Sequence, residues 1–320
     1  MKRFRIILFS CLIVISLLLS GAAYAQIDEE LQLPSPGITP DSPFYFADIW
    51  GKRIGLLFAF GAEAKARKAL EYAEERLAEA QAMAVKNKAR GVRAATGGYD
   101  EYVTMAIGKM GEARNKGVDI SEVSEIAALA TSKHLLVWDG VEGIVPEEAK
   151  EAIAQAKGAS INGMGNALRA LATENPERAI KINLAAIEGR LNRAKAKAEE
   201  NETDEVEDAL EEFEVLSGFG QEISEMARGL RDNTTSVDQL VARATGHHLE
   251  VLALVWDKVP EQAKPAIERA MTVSVRGHDR AVEVLKEKGA LPKGISDNVT
   301  EGIPEKVKEK LKLGVLENDE

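Results

Sequence analysis

An internal repeat constrains this 320-residue chain more than any other feature of its sequence. Segments recur at an offset of 114 positions, which indicates that residues 62–173 and 176–288 are two copies of one unit. Three pairs of segments carry the repeat: Glu74 to Ala80 with Glu188 to Ala194, Ala130 to Leu135 with Ala244 to Leu249, and Val145 to Ile153 with Val259 to Ile267. We therefore expect two similar folding units in tandem.

The apolar residues of each copy are spaced for α-helices. In the first copy they form a seam with alternating intervals of four and three residues: Ala66, Leu70, Ala73, Leu77, Ala80 and Ala84. The second copy repeats this seam: Ile180, Leu184, Ile187, Leu191, Ala194 and Ala198. Such spacing places side chains on one stripe of a helix, which must be buried against a neighbour. The sequence predicts an all-α protein of two tandem antiparallel four-helix units, with coiled-coil-like packing.

Glycine and proline predict where the helices end. We expect helices near 63–92, 99–116, 121–140 and 146–173, and near 178–200, 204–231, 236–257 and 260–288. Gly97 and Gly98 are expected to break the chain between the first two helices, and Pro146 and Pro260 to begin the fourth helix of each copy. Residues 289–320 are predicted to form a polar tail.

The N-terminus has the pattern of a secretory signal over residues 1–25. Basic Lys2, Arg3 and Arg5 precede the apolar run 6–19, and Ala23-Tyr24-Ala25 follows it, which predicts cleavage after Ala25. Cleavage removes Cys11, the one cysteine, and leaves 38 basic against 52 acidic residues, a formal net charge of −14. We expect a secreted or extracytoplasmic envelope protein with no membrane span after cleavage; the alternative is an anchor formed by the uncleaved segment.

Residues 26–61 combine a proline-rich linker with an aromatic-rich helix. Six aromatic residues crowd into it: Phe44, Tyr45, Phe46, Trp50, Phe58 and Phe60. In one interpretation the helix buries these rings over an open end of a bundle. In a second it lies on a membrane surface, with Lys52 and Arg53 at the headgroups. In a third the rings form a contact surface for a protein partner.

This region also resembles a known family. The segments Gly37 to Tyr45, Glu63 to Ala66 and Ala73 to Ala80 are similar to those of a domain-of-unknown-function family, number 5667, of exported bacterial and archaeal helical proteins. The resemblance covers roughly residues 34–140, with a related second copy. It implies a helical extracytoplasmic protein and supplies no activity, cofactor or catalytic residue.

The histidines are the candidates for chemistry. His134 and His248 occupy equivalent positions on the apolar stripe of the third helix of each copy, so each is either a hydrogen-bonded core residue or a metal ligand. His278 lies on the next helix, about 9 Å out of level with His248 at ~1.5 Å per residue, and the first copy has Met164 in its place. A divalent metal held by these histidines and nearby Glu residues is the alternative cofactor hypothesis.

No other catalytic pattern stands out. The acidic net charge argues against nucleic acid as the partner, and the chain has neither a phosphate-binding Gly-Lys-Ser/Thr loop nor a Gly-x-Ser-x-Gly elbow. We therefore expect a protein that is not an enzyme and needs no cofactor. Its predicted function is a structural or protein-interaction module at the cell envelope, with a metal-binding protein as the alternative; the sequence leaves its oligomeric state open.

Overall fold

The computed structural model describes residues 33–230, 235–297, 299 and 303–309. The predicted signal at 1–25 lies outside the described residues. Within them, all regular secondary structure is helical, which confirms the all-α class. The helices are α1 (Tyr45–Phe58), α2 (Ala62–Val85), α3 (Ala89–Asn115), α4 (Ser121–Glu142), α5 (Lys150–Ala172), α6 (Pro176–Glu200), α7 (Thr203–Gly229), α8 (Thr235–Trp256) and α9 (Lys264–Glu287).

The helix boundaries keep the offset seen in the sequence. Helices α2 to α5 begin at residues 62, 89, 121 and 150, and helices α6 to α9 begin at 176, 203, 235 and 264, each 114 residues later. The turns agree as well, because Asn87 and Asn201 both have a positive φ, of 55° and 61°. Asparagine adopts this left-handed conformation more readily than most residues and ends a helix with it.

The predicted break at Gly97 and Gly98 is wrong. The chain turns at residues 86–88, and both glycines lie inside α3. A Cβ at Gly98 would lie 3.0 Å from Cδ of Arg76, so this glycine lets the Arg76 side chain pass between α2 and α3. Its role is close packing of helices, which a sequence cannot distinguish from helix breaking.

The fourth helix of each set begins later than predicted. Pro146 has a ψ of 145°, an extended value that no helix contains, and the 3₁₀ turn Glu147–Ala149 separates it from α5. Pro260 is likewise followed by a turn, and α9 begins at Lys264. Ala149 and Ala263 are both fully buried, so each turn packs into the core before its helix starts.

We call α2 to α5 the first set and α6 to α9 the second set, following their matching starts. In the first set, α2 contacts α3 and α4, and α5 contacts the same two helices; in the second, α6 and α9 each contact α7 and α8. The predicted seam residues of α2 and α6 are buried in this packing, apart from half-buried Leu184. Helix α5 also contacts α6 and α7, and one continuous hydrophobic core runs through both sets.

The C-terminal tail is less polar than predicted. Ile295, Ile303 and Val307 are buried, and Gln239 of α8 donates a hydrogen bond to the carbonyl oxygen of Ala290. Lys306 forms an ion pair of 2.8 Å with buried Glu268 of α9. The described part of the tail therefore packs on the second set through apolar residues spaced too widely to show a periodic pattern.

Two glycines of α5 provide a test of this packing. A Cβ at Gly163 would lie 2.8 Å from Val103 and 3.1 Å from Thr131, both β-branched residues with little freedom to move. We expect Gly163→Ala to lower the free energy of unfolding by about 1–3 kcal/mol through overpacking. Urea denaturation followed by circular dichroism measures this loss.

Gly158 is the matched control. It lies in the same helix with open space where a Cβ would go, so Gly158→Ala should raise the free energy of unfolding by up to ~1 kcal/mol through helix propensity. Equal effects of the two substitutions would contradict the packing described for α5.

Candidate functional site

Helix α1 rests on the bundle through a cluster of charged side chains. Lys52 is only 5% exposed, and its Nζ lies 2.7 Å from carboxylate oxygens of Asp48 and Glu75 and 3.8 Å from Glu79. Burial alone would lower the pKa of Lys52, but its hydrogen bonds to Asp48 and Glu75 outweigh that effect and raise it. Lys52 is therefore a buried cation, not a headgroup contact.

Arg76 of α2 is the centre of the cluster. Its guanidinium group is 2% exposed and lies 3.1 Å from Asp48 and 2.6 Å from Glu79. It also donates to the hydroxyl of Tyr45, which donates in turn to Glu79 over 2.8 Å. Burial raises the pKa of Glu79 even though Arg76 opposes the shift. Tyr45, Asp48 and Lys52 together place the polar side of α1 against α2.

The opposite side of α1 faces solvent and is apolar. Five of its residues fall on one stripe and are 47–73% exposed: Phe46, Trp50, Ile54, Leu57 and Phe58. Phe44 and Phe60, which flank the helix, are 65% and 85% exposed. We call these seven residues the outward face of α1. Single exposed apolar residues are common, but a continuous aromatic patch of this kind marks a contact surface.

The structure therefore separates the six predicted aromatic residues. Tyr45 joins the ion cluster, whereas Phe44, Phe46, Trp50, Phe58 and Phe60 lie on the outward face. The interpretation in which the segment buries its rings over the bundle is wrong for these five. That interpretation is wrong because it is the charged side of α1, and not its apolar side, that pairs with complementary side chains on α2.

A second charged cluster joins the two helix sets. Arg190 of α6 is 1% exposed and lies 2.8 Å from Asp139 of α4 and 2.6 Å from Glu212 of α7. Lys157 of α5 bonds to the same two carboxylates over 3.2 and 2.8 Å, and Arg193 lies 2.9 Å from Asp139. Lys157 and Arg190 lower the pKa of Glu212 although its burial acts to raise it.

Arg76 and Arg190 are equivalent residues, 114 positions apart. Each takes an aspartate from a helix that lies outside its own set and earlier in the chain: Asp48 of α1 for Arg76, and Asp139 of α4 for Arg190. Helix α1 thus packs on the first set at Arg76, and the first set packs on the second at the equivalent position, Arg190. Both arginines belong to the repeated motif. Their recurrence beside an apolar seam is the feature of the sequence from which two buried cations could have been predicted.

His134 is a core residue. It is completely buried, and its Nδ1 lies 2.9 Å from the hydroxyl of Tyr99, which lies 2.5 Å from Oγ of Ser160. Ser160 already donates to the carbonyl oxygen of Ala156, so Tyr99 donates to Ser160 and His134 donates from Nδ1 to Tyr99. Burial, with a smaller contribution from the charge of Lys133, lowers the pKa of His134 to about 3.

His248 and His278 occupy different environments. His248 is 4% exposed and packs edge-on against Phe213, with ring centroids 5.6 Å apart. Burial, helped by the charge of His247, lowers the pKa of His248 to about 4. Both ring nitrogens of His278 are occupied, since Nδ1 and Nε2 each lie 2.9 Å from a carbonyl oxygen, that of Ala242 and that of Ser296.

These environments do not fit the metal hypothesis. In the described part of the chain, no three His, Cys, Asp or Glu side chains come together in a way that could hold a metal ion. Likewise, no helix among the residues described is long and apolar enough to cross a membrane.

The fold and the surface describe an all-α bundle protein that carries the aromatic outward face of α1. Its described residues contain no metal cluster and no recognised catalytic motif. Residues 37–156 match the model of a family described as a domain of unknown function, DUF5667, which confirms the resemblance predicted from the sequence. The match runs from the turn before α1 through α4 and into α5. No curated protein and no solved structure gives a significant match to the chain.

The buried neutral histidines predict a pH-dependent stability. The pKa of His134 falls from 6.5 to about 3 on folding, so the unfolded chain binds a proton that the folded chain rejects. Below pH 6.5 this should lower the free energy of unfolding by about 1.4 kcal/mol for each pH unit. Urea titrations between pH 6.5 and 4.5 should therefore show a smaller loss for His134→Gln than for the unsubstituted protein.

Leu135→Ala is the control for this measurement. Leu135 is 1% exposed and does not titrate, so its truncation should lower stability by the same amount at each pH. If His134→Gln and the unsubstituted protein lose stability in parallel, His134 is not held neutral by the fold.

Proposed function

We propose that this chain is an exported, non-enzymatic protein-interaction module of the cell envelope, and that the outward face of α1 is its contact surface. The observation that carries the proposal is the orientation of α1, which lays its charged side on the bundle and turns its aromatic side to solvent. An amphipathic helix that only completed a fold would have the opposite orientation. The residues of this face stay 47–85% exposed in the described part of the chain.

The contacts of α1 support a surface that is held in place for binding. Tyr45, Asp48 and Lys52 bond to α2 at three successive levels of the helix, so the rings of Phe46 and Trp50 are presented on a fixed backbone. Aromatic side chains on a rigid element contribute much of the binding energy in protein interfaces because they bury a large area and lose little entropy.

Export is part of the proposal and depends on the N-terminal sequence. The basic start, the apolar run and the Ala-x-Ala ending predict a cleaved signal. The predicted mature chain contains no cysteine, so an oxidising compartment would not expose it to unwanted disulfides. The acidic net charge of −14 suits a soluble envelope protein.

We also infer that the two helix sets arose by duplication and act as a scaffold. The repeated helix starts, the paired asparagine turns and the equivalent Arg76 and Arg190 support this inference. In such an arrangement each set needs a covering element on its N-terminal side. Helix α1 would then serve both as that cover and as the binding surface, which explains why a short helix carries both a buried ion cluster and an exposed aromatic stripe.

Site-specific cross-linking tests the proposed surface. A photoreactive amino acid at Trp50, in cells of the source organism, should give a discrete cross-linked protein that mass spectrometry identifies. The triple substitution Phe46→Ser, Trp50→Ser and Leu57→Ser should lower capture of that partner at least tenfold, because buried aromatic anchors are each worth about 1–2 kcal/mol or more in an interface. These substitutions leave the ion cluster intact, which a deletion of α1 would not.

The matched control replaces three exposed apolar residues elsewhere. Val85, Ile144 and Leu254 are 72%, 51% and 52% exposed, and their replacement by serine should leave capture unchanged. Equal capture by both triple variants, or the absence of a discrete cross-linked product at Trp50, would refute the assignment of the surface.

A further inference from the structure

A cavity of about 50 Å³ opens between the four helices of the second set. Ile180, Leu184 and Val241 form apolar walls, while His248, Ser224 and Ser274 supply the polar atoms. The two serines and His248 are at most 5% exposed. The cavity is partly open to solvent near Arg228 and Arg280, so a small molecule could enter it.

The first set has larger apolar side chains on one wall of the equivalent space, the wall that α3 forms. The residues equivalent to Ser217, Gln221 and Ser224 lie 114 positions earlier and are Val103, Ile107 and Met110. Val103 and Met110 are each 2% exposed and belong to the hydrophobic core. On the other walls Ile180 and Val241 are larger than their equivalents, Ala66 and Ala127, so the two sets have differently shaped interiors and the polar wall of α7 belongs to the second set.

His248 also differs from its counterpart. In the first set the hydroxyl of Tyr99 bonds to His134, whereas the residue equivalent to Tyr99 is Phe213, which has no hydroxyl group. His248 makes no hydrogen bond to any residue in the described ranges and lines the cavity. Among the described residues, His134 is bonded at Nδ1 and has no partner at Nε2, whereas neither nitrogen of His248 is bonded and its ring borders a cavity, where a bound molecule can hydrogen-bond to it.

The other polar groups of the cavity are already engaged. Ser224, Ser274 and Thr245 donate their hydroxyl protons to carbonyl oxygens one helical turn earlier, over 2.8–2.9 Å. At the mouth, Arg228 pairs with Asp238 at 2.8 Å and Arg280 pairs with Glu225 at 3.0 Å. The walls therefore offer no unbalanced charge, and burial keeps His248 neutral by lowering its pKa.

We propose that the cavity of the second set binds a small uncharged molecule of a few heavy atoms, apolar except for one hydroxyl or carbonyl group that hydrogen-bonds to His248. The size follows from the volume, which is several times the roughly 10–15 Å³ that a water molecule needs and about a third of the ~150 Å³ that accommodates benzene. A short-chain alcohol or ketone meets both requirements. This site is separate from the outward face of α1 and does not depend on its function.

The test uses ethanol as the probe and the full exported chain with ¹⁵N-labelled histidine. Titration followed by nuclear magnetic resonance should shift the ring signals of His248 in a saturable way, with His248→Gln identifying those signals. The ring signals of His134 serve as the internal control and should not move, because His134 is fully buried and does not line this cavity.

Two substitutions borrowed from the first set should remove the effect. Ser224→Met introduces into the cavity the side chain of Met110, the equivalent residue of the first set. Phe213→Tyr adds the hydroxyl group that Tyr99 offers to His134 in the first set. Each should weaken binding of ethanol at least tenfold. If Ser224→Met alters the circular dichroism spectrum, Phe213→Tyr decides the question alone.

The proposal is overturned by any of three results: a shift of His248 that does not saturate, equal shifts of His134 and His248, or binding that persists unchanged in the folded variants.

Discussion

A buried guanidinium group must have a carboxylate beside it, and this requirement organises the whole molecule. Arg76 and Arg190 are 2% and 1% exposed, and each reaches outside its own helix set for an aspartate. Each arginine also pairs with a carboxylate of its own set, Glu79 or Glu212, and the aspartate adds a second charged partner that favours one position for the element supplying it. For Arg190 that element is α4, which joins the two sets. For Arg76 it is α1.

The function proposed for α1 is a consequence of this pairing. A helix has two sides, and once Asp48 and Lys52 are committed to α2, the stripe that contains Phe46, Trp50 and Leu57 has to face solvent. The ion cluster thus determines both where α1 lies and which of its sides is available to a partner.

The sequence predicted what periodicity can reveal. The seam from Ala66 to Ala84, the helical class and the inward position of His134 all follow from spacing along a helix and agree with the structure. It did not predict the side on which α1 docks, because a pattern shows that a helix has an apolar side and a charged side but not which of them finds complementary neighbours. Arg76 was visible as part of the repeat, yet charged residues are usually exposed, and only the fold shows it buried. The turn at Asn87 was missed for a similar reason, since Gly97 and Gly98 are the stronger breakers by propensity alone.

The dependence of α1 on Arg76 can be measured by cysteine labelling, because the one native cysteine, Cys11, lies in the predicted signal. Single cysteines on the outward face, at Trp50 and Leu57, should react rapidly with a maleimide, whereas those on the inward side, at Ile49 and Leu56, should react several-fold more slowly. In an Arg76→Met background the inward positions should lose this protection while the overall helical signal persists. Equal labelling rates on the two sides of α1 in the native protein, or protection that survives the loss of Arg76, would contradict the account.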